Sequence, residues 1–359
     1  MKAFSINETN KVKGLAILLL IFHHMYRTTD EIAARGAVPI LLTGDSISHI
    51  AYCFRICVYI FAFLTAYGLT KLLLKSEKVS YTKFVIKRYL KLLAPYWFTL
   101  VCIWLFWLFA LRQSPLARYD GNILFMAADF MSVLELLGHT DKMFLGLFWY
   151  MNFAVAEIIV LPLLVVAAKK FGYYLVIISI FLYNVLPTIC DSTYGGNYNS
   201  YLFIIELGVL FALNDSLEII NNTFEKMTAF KKMVIGGLLL VVSFCAPYLA
   251  RFVITSEKFG VTYILQTLGA IALIVFSFTC IKNVKLSKAF EWIGSLSGDI
   301  FLLHILIYEL GWRIVSFTNV IIVQYITSVI LCIIASYVLA VIKDKIGYNR
   351  LTKMLISRI

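Results

Sequence analysis

Charged residues are scarce in this sequence: Asp, Glu, Lys and Arg together make up 14% of its 359 residues. Hydrophobic residues make up 61%, above the roughly 45–50% that is usual in soluble domains. No stretch is long and polar enough to form a separate soluble domain. The composition therefore excludes an ordinary soluble protein and predicts a single integral membrane domain over residues 1–359.

Paired cysteines are also absent. The seven cysteines are scattered without a C-x-x-C motif, and six of them lie in apolar stretches. Zinc sites and disulfide frameworks use cysteines at characteristic spacings, which this sequence does not show. We therefore expect no metal site and interpret the cysteines as packing residues.

Long apolar stretches are abundant, and ten of them approach the length of about 20 residues that a helix needs to cross a bilayer. They predict an all-α integral membrane protein with about ten transmembrane helices. The ten stretches are residues 12–29, 47–72, 92–111, 147–168, 172–189, 200–214, 232–250, 259–281, 292–311 and 320–342. The connection 112–146 is the longest on the outer side, and its amphipathic part, residues 122–137, is predicted either to lie in the interface or to re-enter.

Lysine and arginine are distributed unevenly among the connections. With the N-terminus inside, the inner segments hold 22 basic residues and the outer segments 8. Basic residues near helix ends stay on the cytoplasmic side, so both termini are predicted to be cytoplasmic in a multi-pass protein of the cell membrane. Topology and attraction to anionic lipid then explain the net charge of +12, without a nucleic-acid partner.

Two adjacent histidines, His23 and His24, lie at the far end of the first stretch. From Lys13 at the inner boundary to His24 is eleven residues, a helical rise of about 16 Å, so both imidazoles are predicted near the middle of the bilayer. Hydrogen bonding between helices is the structural alternative. Two imidazoles in succession favour a functional site, because polar groups at this depth are costly.

Other ionisable residues are predicted at membrane depth and should turn inward to a shared polar cavity, since each is costly to expose to lipid. They are Arg55, Glu157, Glu206, Asp299 and His304. Pairing of Arg55 with one of the three acids is the purely structural alternative.

A basic cluster precedes the third apolar stretch, with Lys83, Lys87, Arg88 and Lys91 spread over about two helical turns. Such clusters usually contact lipid headgroups. However, Lys87 and Lys91 are neighbours on one helix face and are able to hold phosphate groups. A basic inner mouth together with buried histidines suggests a phosphorylated cofactor that enters from the cytoplasm.

Five segments, in this order, resemble the acyltransferase family 3 membrane proteins, which O-acylate extracytoplasmic glycans. They are KGLAILLLIFHH, IFAFLTAYGLT, KRYLKLLAPYW, FWYMNFAVAEIIVLPLL and IGSLSGDIFLLHIL. The first resembles the family's basic residue followed eleven positions later by its essential histidine, which selects Lys13 and His24. Thr65 and Ala66 replace the family's usual Ser-Gly, and Lys87 and Lys91 replace arginines, so they lack the planar guanidinium.

The resemblance implies a membrane-bound O-acyltransferase with acetyl-CoA as donor and an extracytoplasmic glycan or lipid-linked saccharide as acceptor. His24 is then the base or the acyl carrier, Glu157 or Asp299 orients its ring, and His23 is a further candidate in the catalytic group. The expected cofactor-binding residues are Lys13, Lys87, Arg88, Lys91 and Arg55. The expected substrate-binding residues are Trp149, Tyr150, Ser297 and His304.

Two other functions remain open from the sequence. A proton-coupled secondary transporter also fits ten helices with buried Glu and His, although no repeated half is evident. A sensory membrane domain of the same fold without catalysis is the other alternative, which the presence of His24 together with the basic cluster disfavours.

Overall fold

The computed structural model of the protein describes residues 4–39, 42–75, 80–189, 196–254, 260–310 and 312–358. The described residues are 83% helical and form no strand. The helices are α1 (Ile6–Tyr26), α2 (Thr29–Ala34), α3 (Gly44–Cys53), α4 (Ile56–Lys75), α5 (Tyr81–Phe109), α6 (Ile123–Phe130), α7 (Trp149–Phe171), α8 (Tyr174–Ile189), α9 (Leu202–Leu213), α10 (Ser216–Glu225), α11 (Ala229–Tyr248), α12 (Val261–Cys280), α13 (Val284–Ser295), α14 (Ser297–Leu310), α15 (Trp312–Val315), α16 (Ile321–Lys345) and α17 (Tyr348–Ser357).

All ten predicted stretches fall on helices, but fewer of them have the length and composition of a membrane span. Within the described ranges, six helical segments qualify: Gly44–Lys75, Tyr81–Phe109, Gly146–Phe171, Ala229–Val253, Val261–Cys280 and Ile321–Lys345. The pair α13 and α14, bent by 70°, makes a seventh if it is counted as one span. The all-α membrane fold is confirmed, whereas the count supported by length and composition is six or seven instead of ten.

The three remaining stretches fall short for separate reasons. Helix α1 contains Glu8, Lys11 and Lys13 in its first half, which lowers its mean hydropathy. Helix α9 has 12 residues and the described part of α8 has 16, both below the length of about 20 that a straight span needs. The sequence alone predicts spans at these three stretches because their central residues are apolar.

Helix α1 is packed among α3, α4, α12, α13, α14 and α16. Its closest neighbour is α13, because glycines remove the side chains where the two helices cross. A Cβ atom at Gly14 would lie 2.0 Å from the carbonyl oxygen of Phe290, and one at Gly294 would lie 1.8 Å from that of Asn10. Small residues at such a crossing allow backbone contact between membrane helices. This contact fixes the position of α1, and with it the position of the two histidines.

The connection between α5 and α7 folds back along α5. The Trp97 indole donates to the carbonyl oxygen of Phe130 at 2.8 Å, and the Tyr89 hydroxyl donates to that of Met131 at 2.8 Å. Tyr89 lies twenty residues before the end of α5, a helical distance of about 30 Å. The amphipathic stretch 122–137 therefore returns along the helix instead of remaining at its outer end, which supports the re-entrant alternative.

The C-terminal helix α17 folds back against the first half of α5. Gly347 allows the turn, since its φ of 76° lies in the left-handed region that favours glycine. The Tyr348 hydroxyl then donates to the carbonyl oxygen of Ala94 at 2.7 Å. This contact brings the polar face of α17 to the basic cluster of α5.

Candidate functional site

A cavity of about 250 Å³ lies beside the C-terminal end of α1. Four parts of the chain that are distant in sequence supply its walls: α1, the α3–α4 break, the start of α7, and α14. The lining includes Leu20, His23, His24, Arg27, Tyr52, Arg55, Val58, Phe61, Leu147, Trp149, Tyr150 and Phe301. We call it the histidine cavity. It combines polar groups with aromatic walls, as small-molecule sites commonly do.

His24 is half-buried in the wall of this cavity and lies against a second imidazole from α14. The ring centroids of His24 and His304 are 5.3 Å apart. Nδ1 of the buried His304 lies 2.6 Å from the carbonyl oxygen of Phe301. Because a carbonyl oxygen only accepts, Nδ1 of His304 is protonated and donates. The ring beside His24 is therefore held in one orientation by its own helix.

His23 differs from His24 in having a fixed hydrogen bond. Its Nδ1 donates to the carbonyl oxygen of Ala51 at 2.8 Å, and the side chain is buried. His24 makes no hydrogen bond to any residue that the structure describes. Of the two adjacent imidazoles, His23 is tied to α3, whereas His24 is available to a ligand in the cavity.

The predicted carboxylates do not line the histidine cavity. Glu157 is buried beside the backbone of Ala66 in α4, eight residues after Trp149. Asp299 forms an ion pair with Lys343, whose Nζ lies 2.5 and 2.7 Å from its two carboxylate oxygens. The structure thus places His304 next to His24, in the position where the sequence suggested a carboxylate. Glu206 also lies elsewhere, where it accepts a hydrogen bond from the Ser179 hydroxyl.

Arg55 lies in the short break between α3 and α4, and its side chain reaches the histidine cavity. Its Nη1 donates to the Tyr52 hydroxyl at 3.2 Å. Within the described residues no carboxylate pairs with Arg55, so the purely structural ion pair that the sequence allowed is not found.

The basic cluster of α5 divides between two faces. The backbone amide of Lys83 donates to the Ser80 hydroxyl and caps the start of α5. Lys87 and Lys91 lie on the following turns of this helix. Both lysines line a cleft of about 530 Å³ between α5 and α17, together with Lys353. We call it the lysine cleft. Arg88 turns away and its guanidinium lies over the Phe84 ring, at 5.4 Å from the ring centroid.

The other predicted residues occupy three different environments. Trp149 and Tyr150 line the histidine cavity, where Tyr150 meets Phe301 edge-on with ring centroids 5.4 Å apart. Ser297 is buried at the α13–α14 bend and lines neither the histidine cavity nor the lysine cleft. Lys13 is half-buried eleven residues below His24 on α1. The aromatic pair thus joins the histidines, whereas Ser297 and Lys13 do not.

Sequence reasoning missed several residues of the two sites. Arg27 follows His24 by three positions on the same helix, so helical periodicity alone predicts a shared face. Tyr52 precedes Arg55 by three positions, although the break between α3 and α4 obscures that relation. The place of Lys353 depends on the turn at Gly347 and on docking of α17, which no local pattern reveals.

The outer connections are joined near the histidine cavity. The Tyr198 hydroxyl donates to Oε2 of Glu135 at 2.8 Å, and the Tyr198 ring packs on Phe153. Burial raises the pKa of the Glu135 carboxyl, and the hydrogen bond from Tyr198 opposes that rise. This contact ties the re-entrant connection to the segment before α9.

Among the residues that the structure describes, no group of three or more His, Cys, Asp or Glu side chains is arranged to hold a metal ion. The sequence model of the acyltransferase domain family matches residues 8–342, which is nearly the whole chain. No curated protein and no solved structure matches the chain. The family match covers every helix of the histidine cavity, including α1 with His24 and α14 with His304. The chain therefore belongs to acyltransferase family 3, as a multi-pass membrane protein.

Proposed function

We propose that this protein transfers an acetyl group from cytoplasmic acetyl-CoA to a hydroxyl of an extracytoplasmic glycan or glycolipid at the cell membrane. The observation that carries the proposal is the half-buried His24 imidazole in the wall of a cavity lined by aromatic and arginine side chains. Family membership supports acyl transfer. The donor, the acetyl group and the acceptor are inferences from the chemistry of the cavity and the cleft.

His24 supplies the group that acyl transfer to an alcohol requires. A neutral imidazole takes the proton of the acceptor hydroxyl near pH 7 as that oxygen bonds to the thioester carbonyl carbon. The carbon–sulfur bond breaks, and the imidazolium returns the proton to the departing sulfur. In the alternative route the His24 nitrogen bonds to the thioester carbonyl carbon as the carbon–sulfur bond breaks and CoA leaves as its thiolate. The acceptor oxygen then bonds to that carbon as the carbon–nitrogen bond breaks, and the hydroxyl proton passes to the freed imidazole.

His304 acts in this scheme as a positioning residue. Its Nδ1 is committed to the Phe301 carbonyl oxygen, so its ring presents a fixed surface to His24. Restricting the His24 ring to few orientations lowers the entropy that must be lost in reaching the transition state. His23 restricts α1 in a similar way through its bond to α3.

The lysine cleft fits the phosphate groups of the donor. Lys87, Lys91 and Lys353 converge on it, and Thr352 adds a hydroxyl to the same lining. Lysine binds phosphate as a point charge without fixed geometry, so the absence of the family's arginines does not prevent phosphate binding. Positive-inside counting predicts that this cleft lies on the cytoplasmic side, where acyl-CoA is available.

The aromatic walls of the histidine cavity fit a saccharide acceptor. Trp149, Tyr150 and Phe301 offer flat faces to the apolar faces of sugar rings. A lipid-linked saccharide or a growing polysaccharide would reach the cavity from the outer side. Membrane lipid is the surrounding partner in either case.

Mass spectrometry of surface glycans from cells with and without the gene tests the proposed function. We expect one glycan to lose about 42 Da per modified sugar when the gene is removed, because O-acetylation adds a net C₂H₂O. A loss of a different acyl mass would correct the donor. An unchanged glycan profile in cells that express the folded protein would refute the proposal.

A further inference from the structure

A second cavity, of about 210 Å³, adjoins the histidine cavity. Tyr52 and Arg55 line both cavities, so they form the wall between them. The second cavity also contains Arg251, from the π-helical turn that follows α11. We call it the arginine cavity. A ligand that fills it would lie beside any molecule held at His24.

Two guanidinium groups meet at one tyrosine in this cavity. Arg55 donates to the Tyr52 hydroxyl at 3.2 Å, and the Arg251 guanidinium carbon lies 4.5 Å from the centroid of the Tyr52 ring. No carboxylate is found among the described residues that line the cavity. Two positive charges that have no counter-charge among the described residues repel each other and create a positive potential in the cavity. An anion bound there would remove that repulsion.

The remaining polar groups of the cavity suit hydroxyl groups. Gln266 is 6% exposed and lines the cavity, and its Oε1 has no hydrogen-bond partner in the part of the chain that the structure describes. The Thr262 hydroxyl in the same lining is also buried and has no hydrogen-bond partner among the described residues. Buried acceptors of this kind are costly unless a ligand satisfies them. Hydroxyl groups of a sugar would donate to both.

We propose that the arginine cavity binds a carboxylate or phosphate group of the acceptor, so that the preferred acceptor is an acidic glycan. This inference rests on the proposed function, because it assigns the acceptor that the histidine cavity acylates. The acidic group belongs to the acylated sugar or to the unit joined to it, since the two cavities share a wall. Guanidinium groups bind carboxylate and phosphate through paired hydrogen bonds.

The donor does not account for these arginines. Its phosphates fit the lysine cleft on α5 and α17, whereas Arg55 and Arg251 lie at the ends of helices that the basic count places on the outer side. The arginine cavity therefore faces the compartment from which the acceptor enters.

The first experiment identifies the glycan that loses its acyl group in cells without the gene. We expect the modified sugar, or its neighbour, to carry a carboxylate or a phosphate. In cells producing Arg251→Gln, acylation of that glycan should fall about tenfold at limiting acceptor, the loss expected for one charged hydrogen-bonding group. Arg251 is exposed, so this substitution leaves the helix packing intact. Acylation of a glycan without acidic groups overturns the inference.

The second experiment uses purified protein in lipid nanodiscs with acetyl-CoA. The acceptor is glycan extracted from cells lacking the gene, tested before and after carboxyl reduction or dephosphorylation. Arg251→Gln should raise KM for the untreated glycan about tenfold, with kcat and the acetyl-CoA KM unchanged. Arg55→Lys keeps the charge but loses the paired hydrogen bonds, so it should raise the same KM by a smaller factor. Lys142→Gln, a charge change in the outer connection away from both cavities, should leave every constant unchanged. Equal KM values for treated and untreated glycan contradict the inference.

Glycan analysis of cells without the gene distinguishes failure of the acidic acceptor from failure of the proposed acyl transfer. If deletion of the gene removes acyl groups from a neutral glycan, acyl transfer stands and the acidic acceptor is wrong. If deletion changes no glycan, the proposed function fails, and the acidic acceptor fails with it.

Discussion

The histidine cavity and the lysine cleft hold their functional side chains to different degrees. His23 and His304 are buried and bonded to backbone carbonyl oxygens, and α1 is fixed against α13 by backbone contact at Gly14. Lys91 and Lys353, in contrast, are exposed side chains on two helix surfaces. The chemical step needs fixed geometry, whereas binding of phosphates needs mainly charge. The two regions should therefore respond to substitution in different kinetic constants.

Replacement of His24 has the largest expected effect. His24→Ala should lower acetyl transfer by about 10²–10⁴-fold, the usual contribution of a general acid–base group. Turnover per folded molecule, measured with labelled acetyl-CoA in nanodiscs, checks this. His139→Ala, a histidine of the outer connection that packs on Phe125, is the matched control and should retain normal turnover. Near-normal turnover of His24→Ala would remove the distinction between the two regions.

Replacement of His304 should have a smaller effect of the same kind. His304→Ala removes the ring against which His24 packs, so kcat should fall by about 10–100-fold as the His24 ring gains freedom. The acetyl-CoA KM should not change, because His304 does not line the lysine cleft. His304→Asn keeps a side-chain donor for the Phe301 carbonyl oxygen and should recover part of the loss. If both variants lose folded protein in proportion to activity, His304 is a packing residue only.

The paired substitution Lys87→Ala with Lys91→Ala should affect donor binding alone. We expect the acetyl-CoA KM to rise roughly tenfold, while kcat at saturating donor stays near that of the unsubstituted protein. The increase should be largest at low salt, where charges are least screened. Lys285→Ala with Lys288→Ala removes two exposed lysines from α13 on the same predicted side and serves as the control. An equal increase in the control pair would assign the effect to net charge.

The smallest expected effect is that of Lys353→Ala. One exposed lysine contributes less binding free energy than two lysines do. The acetyl-CoA KM should therefore rise about threefold, which corresponds to less than 1 kcal/mol. This variant tests whether α17 contributes to donor binding in the lysine cleft. An unchanged KM would restrict the cleft to α5.

Sequence reasoning identified the residues of the histidine cavity better than their contacts. Position on α1 and the eleven-residue spacing from Lys13 indicated His24, and the aromatic start of α7 indicated Trp149 and Tyr150. The contact between His24 and His304 was not evident, because it depends on how α14 continues after its bend with α13. Asp299 shares that helix with His304, yet its side chain meets Lys343 of α16.

The fold class was predictable from composition, but the number of spans was not. Hydropathy windows register apolar content, and they do not register the break between α13 and α14 or the short length of α9. The return of the 112–146 connection along α5 depends on bonds from Tyr89 and Trp97 to backbone carbonyl oxygens. Local patterns contain no information on such long-range partners.

We infer that acyl transfer depends on the histidine cavity, whereas acetyl-CoA binding depends on the lysine cleft. Acetyl-CoA binding by purified His24→Ala, measured alongside the Lys87→Ala, Lys91→Ala double variant, tests it most directly. We expect normal acetyl-CoA affinity in His24→Ala, which does not turn over, and weakened affinity in the double variant, which does. Loss of acetyl-CoA affinity in His24→Ala, or unchanged affinity in the double variant, would contradict it.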